Sequence, residues 1–152
     1  MKKFEFTGET KTINLLFRTA TLHRIKAVVE FGLVKVGDLG GWIEKEENLS
    51  HEGKAWVWGN AEVWGNAKVF SASHVLVIGA IGSRDDFTTF FRDKDNEITV
   101  KCGCFLGKID KFLEKVTQTH GDSKYALVYR AAVEVARLQI DLSGEAPKDS
   151  DE

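Results

Sequence analysis

No apolar run in this chain approaches the roughly 20 residues that span a bilayer, and the opening stretch MKKFEFTGETK lacks the apolar core of a signal peptide. A cytosolic protein with no membrane partner is expected. Charge of one sign is also missing: 21 Lys and Arg stand against 23 Asp and Glu, for a formal net charge of −2. That balance implies no general polyanion surface and no polymeric nucleic acid partner, although a local basic pocket fits within it. Cysteine is scarce, with only Cys102 and Cys104, in the order CGC. One intervening residue makes a disulfide between them sterically poor. A zinc site needs about four ligands, with its Cys usually two to four residues apart. The two thiols are expected on one strand, both turned to the same buried face, and no metal or other cofactor is expected. A Walker loop, HExxH, GxSxG and a CxxC pair are likewise absent.

What the chain does have is a six-residue rhythm. Ala55, Ala61 and Ala67 are six apart, as are Val57, Val63, Val69, Val75 and Ile81, and Gly53, Gly59 and Gly65. That period fits neither an amphipathic helix nor a simple hairpin. It predicts a short hexapeptide-type β-coil with Gly-Asn corners, since both residues tolerate positive φ. Ala and Val then point inward. The same register sends Trp58, Trp64 and Phe70 outward, and Trp56, Trp58 and Trp64 are expected to meet another subunit, with ligand stacking as the alternative. A coil this short makes fewer than two full turns and must lean on its flanks or on another chain.

The 152 residues make one domain, or one domain with a small appendage. Up to residue 36, apolar and polar groups alternate, which predicts two or three short strands with turns at Gly8 and Gly32. In GDLGGWIEKEENLS, residues 37–50, the glycines and Asp38 indicate tight turns. Trp42-Ile43 should plug the end of the coil, and EKEEN should be a solvated loop. Residues 74–82, 87–93 and 98–105 predict a three-stranded antiparallel meander. Ile109, Phe112, Leu113 and Val116 have helical spacing, and that helix should stop near His120-Gly121. Asp122 or Ser123 caps the next helix, whose apolar stripe from Tyr125 to Leu138 is too wide for an isolated surface helix. The expected class is α+β: residues 1–81 β-rich with the hexapeptide coil, 82–142 a meander plus two helices, and 143–152 a disordered acidic tail.

One segment has ligand chemistry. In GSRDDFTTFF, Gly82 and Ser83 offer a turn with free N–H groups, and Arg84 offers a positive fork suited to phosphate. Thr88 and Thr89 offer hydroxyls, and Phe87 a stacking face. The plainer alternative is a polar turn in which Arg84 pairs with Asp85 or Asp86. Arg130 and Arg137, seven apart, share a helix face that could reach an anion or a neighbouring subunit's acids, or simply face solvent. His120 beside Asp122 invites a general-base role, but helix termination and capping account for both residues.

GDLGGWIEKEENLSHEG followed by WGNAEVWGNAKV resembles phage and prophage proteins carrying GNA-x-V hexapeptide repeats. The segment IGAIGSRDDFTTFF with VKCGCFLGKIDKF and VTQTHGDSKYALVY resembles a C-terminal module found in them and in short phage proteins. That module is similar to the first family of Thoeris anti-defence proteins, and the long N-terminal coil is a departure from its short forms. The resemblance implies a non-enzymatic protein of the host cytoplasm that sequesters cyclic ADP-ribose-type signals or cyclic oligonucleotides, in homo-oligomers with pockets between subunits. By their chemistry, Ser83, Arg84, Phe87, Thr88, Thr89 and Arg130 are the candidate ligand contacts. The alternatives are a virion structural or assembly protein, and a hydrolase of the signal with His120 as base.

Overall fold

The computed structural model describes residues 2–15, 18–65 and 67–143. Residues 144–152 of the expected acidic tail, and Asn66 of the second Gly-Asn corner, lie outside the described residues. The fold is α+β, with two four-stranded sheets followed by two helices. The first sheet has the order β1 (Phe4–Asn14), β2 (Thr19–Ala27), β3 (Leu39–Ile43), β4 (Glu62–Val63). The second is an antiparallel meander of β5 (Val75–Ile81), β6 (Asp86–Arg92), β7 (Ile98–Cys102) and β8 (Phe105–Lys108). Helices α1 (Ile109–His120) and α2 (Lys124–Gln139) complete the chain. No described helix is long and apolar enough to cross a membrane.

The N-terminal strands are longer than the alternation alone predicts. β1 and β2 pair antiparallel over most of their length, and Gly8, at φ +96°, sits in a bulge of β1 rather than in a connecting turn. The bulge shifts the register between Phe6 and Thr10, so inward parity on β2 changes between Leu22 and Ile25.

The hexapeptide stretch keeps its inward register but does not form the expected coil of strands. Ala55, Val57, Ala61, Val63, Ala67 and Val69 are all buried. Among the described residues of this stretch, however, only Glu62–Val63 is a strand. It pairs parallel with Trp42-Ile43, and Leu49 makes a single parallel bridge to Val69. The rhythm ends there, because Val75 and Ile81 belong to β5, which pairs antiparallel with β6. Trp42 and Ile43 therefore sit within the first sheet. The backbones approach closely beside them: a Cβ on Gly41 would lie 2.6 Å from the carbonyl oxygens of Trp58 and Ala61.

Two of the expected outward tryptophans are core residues. Trp56 and Trp64 are buried, whereas Trp58 and Phe70 do face solvent. Trp56 meets the edge of Phe31. Trp64 lies under the cations of Arg18 and Lys101, at 5.5 and 5.4 Å from its ring centre. The six-residue register could not place it inside, because its cover comes from β2's approach and from β7, both distant in sequence. EKEEN is also not simply solvated. Glu46–Asn48 form a 3-10 turn that buries Asn48 completely. The Asn48 carbonyl accepts from the N–H groups of Glu44 and Lys45, and its amide donates to Gly65 and Ala67.

β6 joins the two halves. Phe91 belongs to the core of the N-terminal half, with Phe4, Leu22, Ile43 and Val63. Phe90, pointing the other way, joins Val100, Phe112, Val116, Tyr129 and Val133 under the helices. Burying each phenylalanine contributes about 2 kcal/mol. Ile109, Phe112 and Val116 give α1 its buried face, and Ala126, Tyr129, Val133 and Ala136 give α2 its own.

The stretch 98–105 was expected as one strand with both thiols on one buried face. It is two strands, because Gly103, at φ +57°, turns the chain and pairs Cys102 with Phe105. Cys104 stands exposed in that turn, and Cys102 is half-buried.

Candidate functional site

A cavity of about 180 Å³ opens where two turns of the second sheet meet the helices. Ser83 and Arg84 come from the β5–β6 turn, Cys102 to Phe105 from the β7–β8 turn, Phe112, Lys115 and His120 from α1, and Tyr129 from α2. Gly82 takes φ +82° to make the first turn, and Gly121, at φ +57°, ends α1 with its N–H on Thr117. That leaves His120 at the rim.

Tyr129 forms the floor. Its ring stacks on His120 with centroids 5.7 Å apart and meets the edge of Phe112, also at 5.7 Å. The Tyr129 hydroxyl lies directly under Gly82, where a Cβ would overlap it. Burial, with the Cys102 sulfur alongside, pushes the phenol up to about 12, so it stays a neutral donor. Thr88 directs its own hydroxyl at the same sulfur, 3.4 Å away.

The charged side chains that line the cavity are cationic, and behind them Asp86 also acts on the Tyr129 hydroxyl. Arg84 and Lys115 are exposed at its mouth, and neither has an ion-pair partner among the described residues. Arg84 therefore does not pair with Asp85 or Asp86, the plainer alternative for this turn. Among the described residues, no carboxylate lines the cavity. Unpaired cations over an aromatic floor suit a small anion that carries a flat apolar part. At about 180 Å³ the cavity is below the roughly 300 Å³ at which sites for whole drug-sized ligands begin.

Of the six candidate contacts, Ser83 and Arg84 line this cavity. Thr88 and Thr89 are buried in β6, with Thr89 accepting the Glu62 N–H at 3.0 Å. Phe87 is partly exposed and packs on Gly79. Arg130 donates to Thr117 and to the Gly121 carbonyl, fastening the α1–α2 junction, and does not line the cavity. Arg137 pairs with Glu134. Lys115, Phe105 and Phe112 were not singled out from sequence as site residues. Phe112, Lys115, Val116 and Thr119 follow helical spacing on one face of α1, which is the signal that marks them. At the junction, Ser123 takes the cap position of α2 without a side-chain bond.

A larger cleft of about 450 Å³ lies between the halves, lined in part by Arg18, Glu44, Lys45, Trp64 and Lys108. Most of its charge is neutralised in place. Arg18 grips Glu44 with two bonds of 3.1 and 2.7 Å, and Lys108 holds Asp93 and Asp95 at 2.8 Å each. Burial pushes the Glu44 carboxyl up, but Arg18 and the Gly65 N–H outweigh it and hold the group below its ordinary value. Among the described residues, no group of three or more His, Cys, Asp or Glu could hold a metal ion. No protein-family model matches the chain, and no curated protein matches it.

Proposed function

We propose that this protein captures a phosphate-bearing nucleotide signal, of the cyclic ADP-ribose or cyclic oligonucleotide class, without cleaving it, and that it serves a phage in evading host immunity. The observation that carries the proposal is the pair of cations, Arg84 and Lys115, that among the described residues have no ion-pair partner and share an aromatic-floored cavity with no lining carboxylate. Arg84 and Lys115 would neutralise phosphate, the Ser83 turn would add polar contacts, and Phe105 and His120 would receive the base. Because the cavity encloses less than a whole nucleotide dimer, the captured ligand keeps one part in solvent or against a second copy.

The test is capture followed by release. The purified protein is mixed with cyclic ADP-ribose isomers or cyclic oligonucleotides, filtered, and then heated. Intact ligand released only on heating supports capture. Altered ligand replaces it with hydrolysis, for which His120 at the rim is the candidate base. No retention of any of these ligands refutes both. Replacing Arg84 with Ala should weaken capture by about tenfold or more, as expected for one charge-assisted contact, with the fold unchanged by circular dichroism.

A further inference from the structure

The cavity holds two thiols that nucleotide capture does not use. Cys102 and Cys104 both line it, from either side of the Gly103 turn. They are not equivalent. Cys102 is half-buried, and its sulfur accepts the Thr88 hydroxyl at 3.4 Å, with the Tyr129 hydroxyl alongside. Cys104 is exposed at the tip of the β7–β8 hairpin. That tip stands clear: a Cβ on Gly103 would meet nothing within 4 Å.

The surroundings of Cys104 select for negative charge. Arg84 and Lys115 line the same cavity of about 180 Å³, and neither has an ion-pair partner among the described residues. Groups around so small a volume lie within about one Debye length, roughly 8 Å, of one another. Both cations therefore attract an anion that approaches the Cys104 sulfur. Asp86 acts on Tyr129 from behind and does not line the cavity. The Tyr129 side chain is only 8% exposed, and its hydroxyl has the Cys102 sulfur, a weak acceptor, beside it. The floor thus still offers a buried donor to a carboxylate or amide oxygen.

We propose that Cys104 is a modification site, which takes up a small carboxylate-bearing thiol of the glutathione class as a mixed disulfide. The Cys104 thiolate attacks one sulfur of the oxidised disulfide of that thiol. A new S–S bond forms as the old one breaks. The other half leaves as a thiolate and takes up the proton that Cys104 released. Cys104 is oxidised and the departing half is reduced, so no further oxidant is needed. Cys102 does not displace the adduct, because one intervening residue makes a Cys102–Cys104 bridge sterically poor. The adduct places its carboxylates against Arg84 and Lys115 and fills the opening. It therefore shuts out a phosphate that needs the same cations. That consequence rests on the capture reading above; the modification itself does not.

Oxidised glutathione, an anion, and cystamine, a dication, are each reacted with the full chain and with a short peptide of residues 99–108 carrying Cys102→Ser. Intact mass follows the adducts, and peptide mapping locates them. The chain should prefer oxidised glutathione over cystamine by about tenfold or more, relative to the peptide. Replacing Arg84 and Lys115 together with Ala should bring that preference to within about twofold of the peptide's, with circular dichroism unchanged. An adduct mapped to Cys102 overturns the proposal. So does a preference no greater than the peptide's, or one that survives the double substitution. Capture of cyclic nucleotides before and after modification separates the two readings, and a loss of about tenfold on modification is expected. A chain that forms the adduct but captures no nucleotide even when reduced overturns the capture reading and leaves the modification standing. Capture that the adduct leaves unchanged overturns the blocking.

Discussion

Asn48→Ala is expected to destabilise the protein by about 2 kcal/mol, at about 1 kcal/mol for the buried Ala67 carbonyl and about half that for each part-buried backbone group that loses its only partner. Four backbone groups bond the Asn48 side chain: the N–H groups of Glu44 and Lys45, and the carbonyls of Gly65 and Ala67. The Glu44 N–H also reaches the Val63 carbonyl at 3.1 Å, so it keeps a partner. Three groups are left: the Lys45 N–H and the two carbonyls. The isosteric Asn48→Asp separates hydrogen bonding from packing. It keeps the acceptor for Glu44 and Lys45 but turns a carboxylate oxygen toward the Gly65 and Ala67 carbonyls, at a fully buried position. It should cost more than Asn48→Ala at pH 7, and the excess should shrink near pH 4 as the new carboxyl protonates and can donate. Urea unfolding with an unchanged m-value reads both effects. Asn60→Ala, at an exposed position, is the control and should stay within about 0.5 kcal/mol of wild type. A cost below about 1 kcal/mol for Asn48→Ala, or Asn48→Asp milder than Ala, would refute Asn48 as the pin between the 44–48 turn and the hexapeptide stretch.

Two further outcomes follow from the site and the cleft. Gly82→Ala should cost about 2–4 kcal/mol, combining the left-handed backbone with overlap on the Tyr129 hydroxyl; near-UV circular dichroism should report a displaced tyrosine, and an unchanged signal with native stability would contradict the packing of that turn. The Glu44 carboxyl is held low in the folded state. Its pair with Arg18 therefore contributes fully above the ordinary glutamate value of about 4.3, and the contribution is lost as pH falls through the lower folded value. Thermal melts between about pH 3 and 6 should show a shallower acid dependence for Glu44→Gln than for wild type, and parallel curves would remove Glu44 from the acid response.

Much of the architecture could be read directly along the chain. The six-residue rhythm identified Ala55, Val57, Ala61, Val63, Ala67 and Val69 as inward residues, and all six are buried. Both helices and the end of the first at His120-Gly121 followed from apolar spacing and glycine. The fate of Trp64 could not be read this way, because Arg18 and Lys101 cover it from positions far off in sequence. The hydroxyls that Thr88 and Thr89 offer by sequence are not free, because β6 is buried on both faces from Thr88 onward. Cys104 left its expected face because Gly103 adopted a positive φ, which its identity permits but does not require.

By itself the sequence determined the inward Ala and Val register of the hexapeptide stretch and the two helices with the stop at Gly121, because side-chain period and glycine placement act locally. Only the tertiary structure decided that Ser83 and Arg84 share a cavity with Lys115, His120 and Tyr129. It also decided that Arg130 fastens the two helices instead of joining them there. The physical reason is that charge and hydrogen-bond partners are chosen by proximity across elements, and a single register of spacing does not encode which faces of β6, α1 and α2 come together.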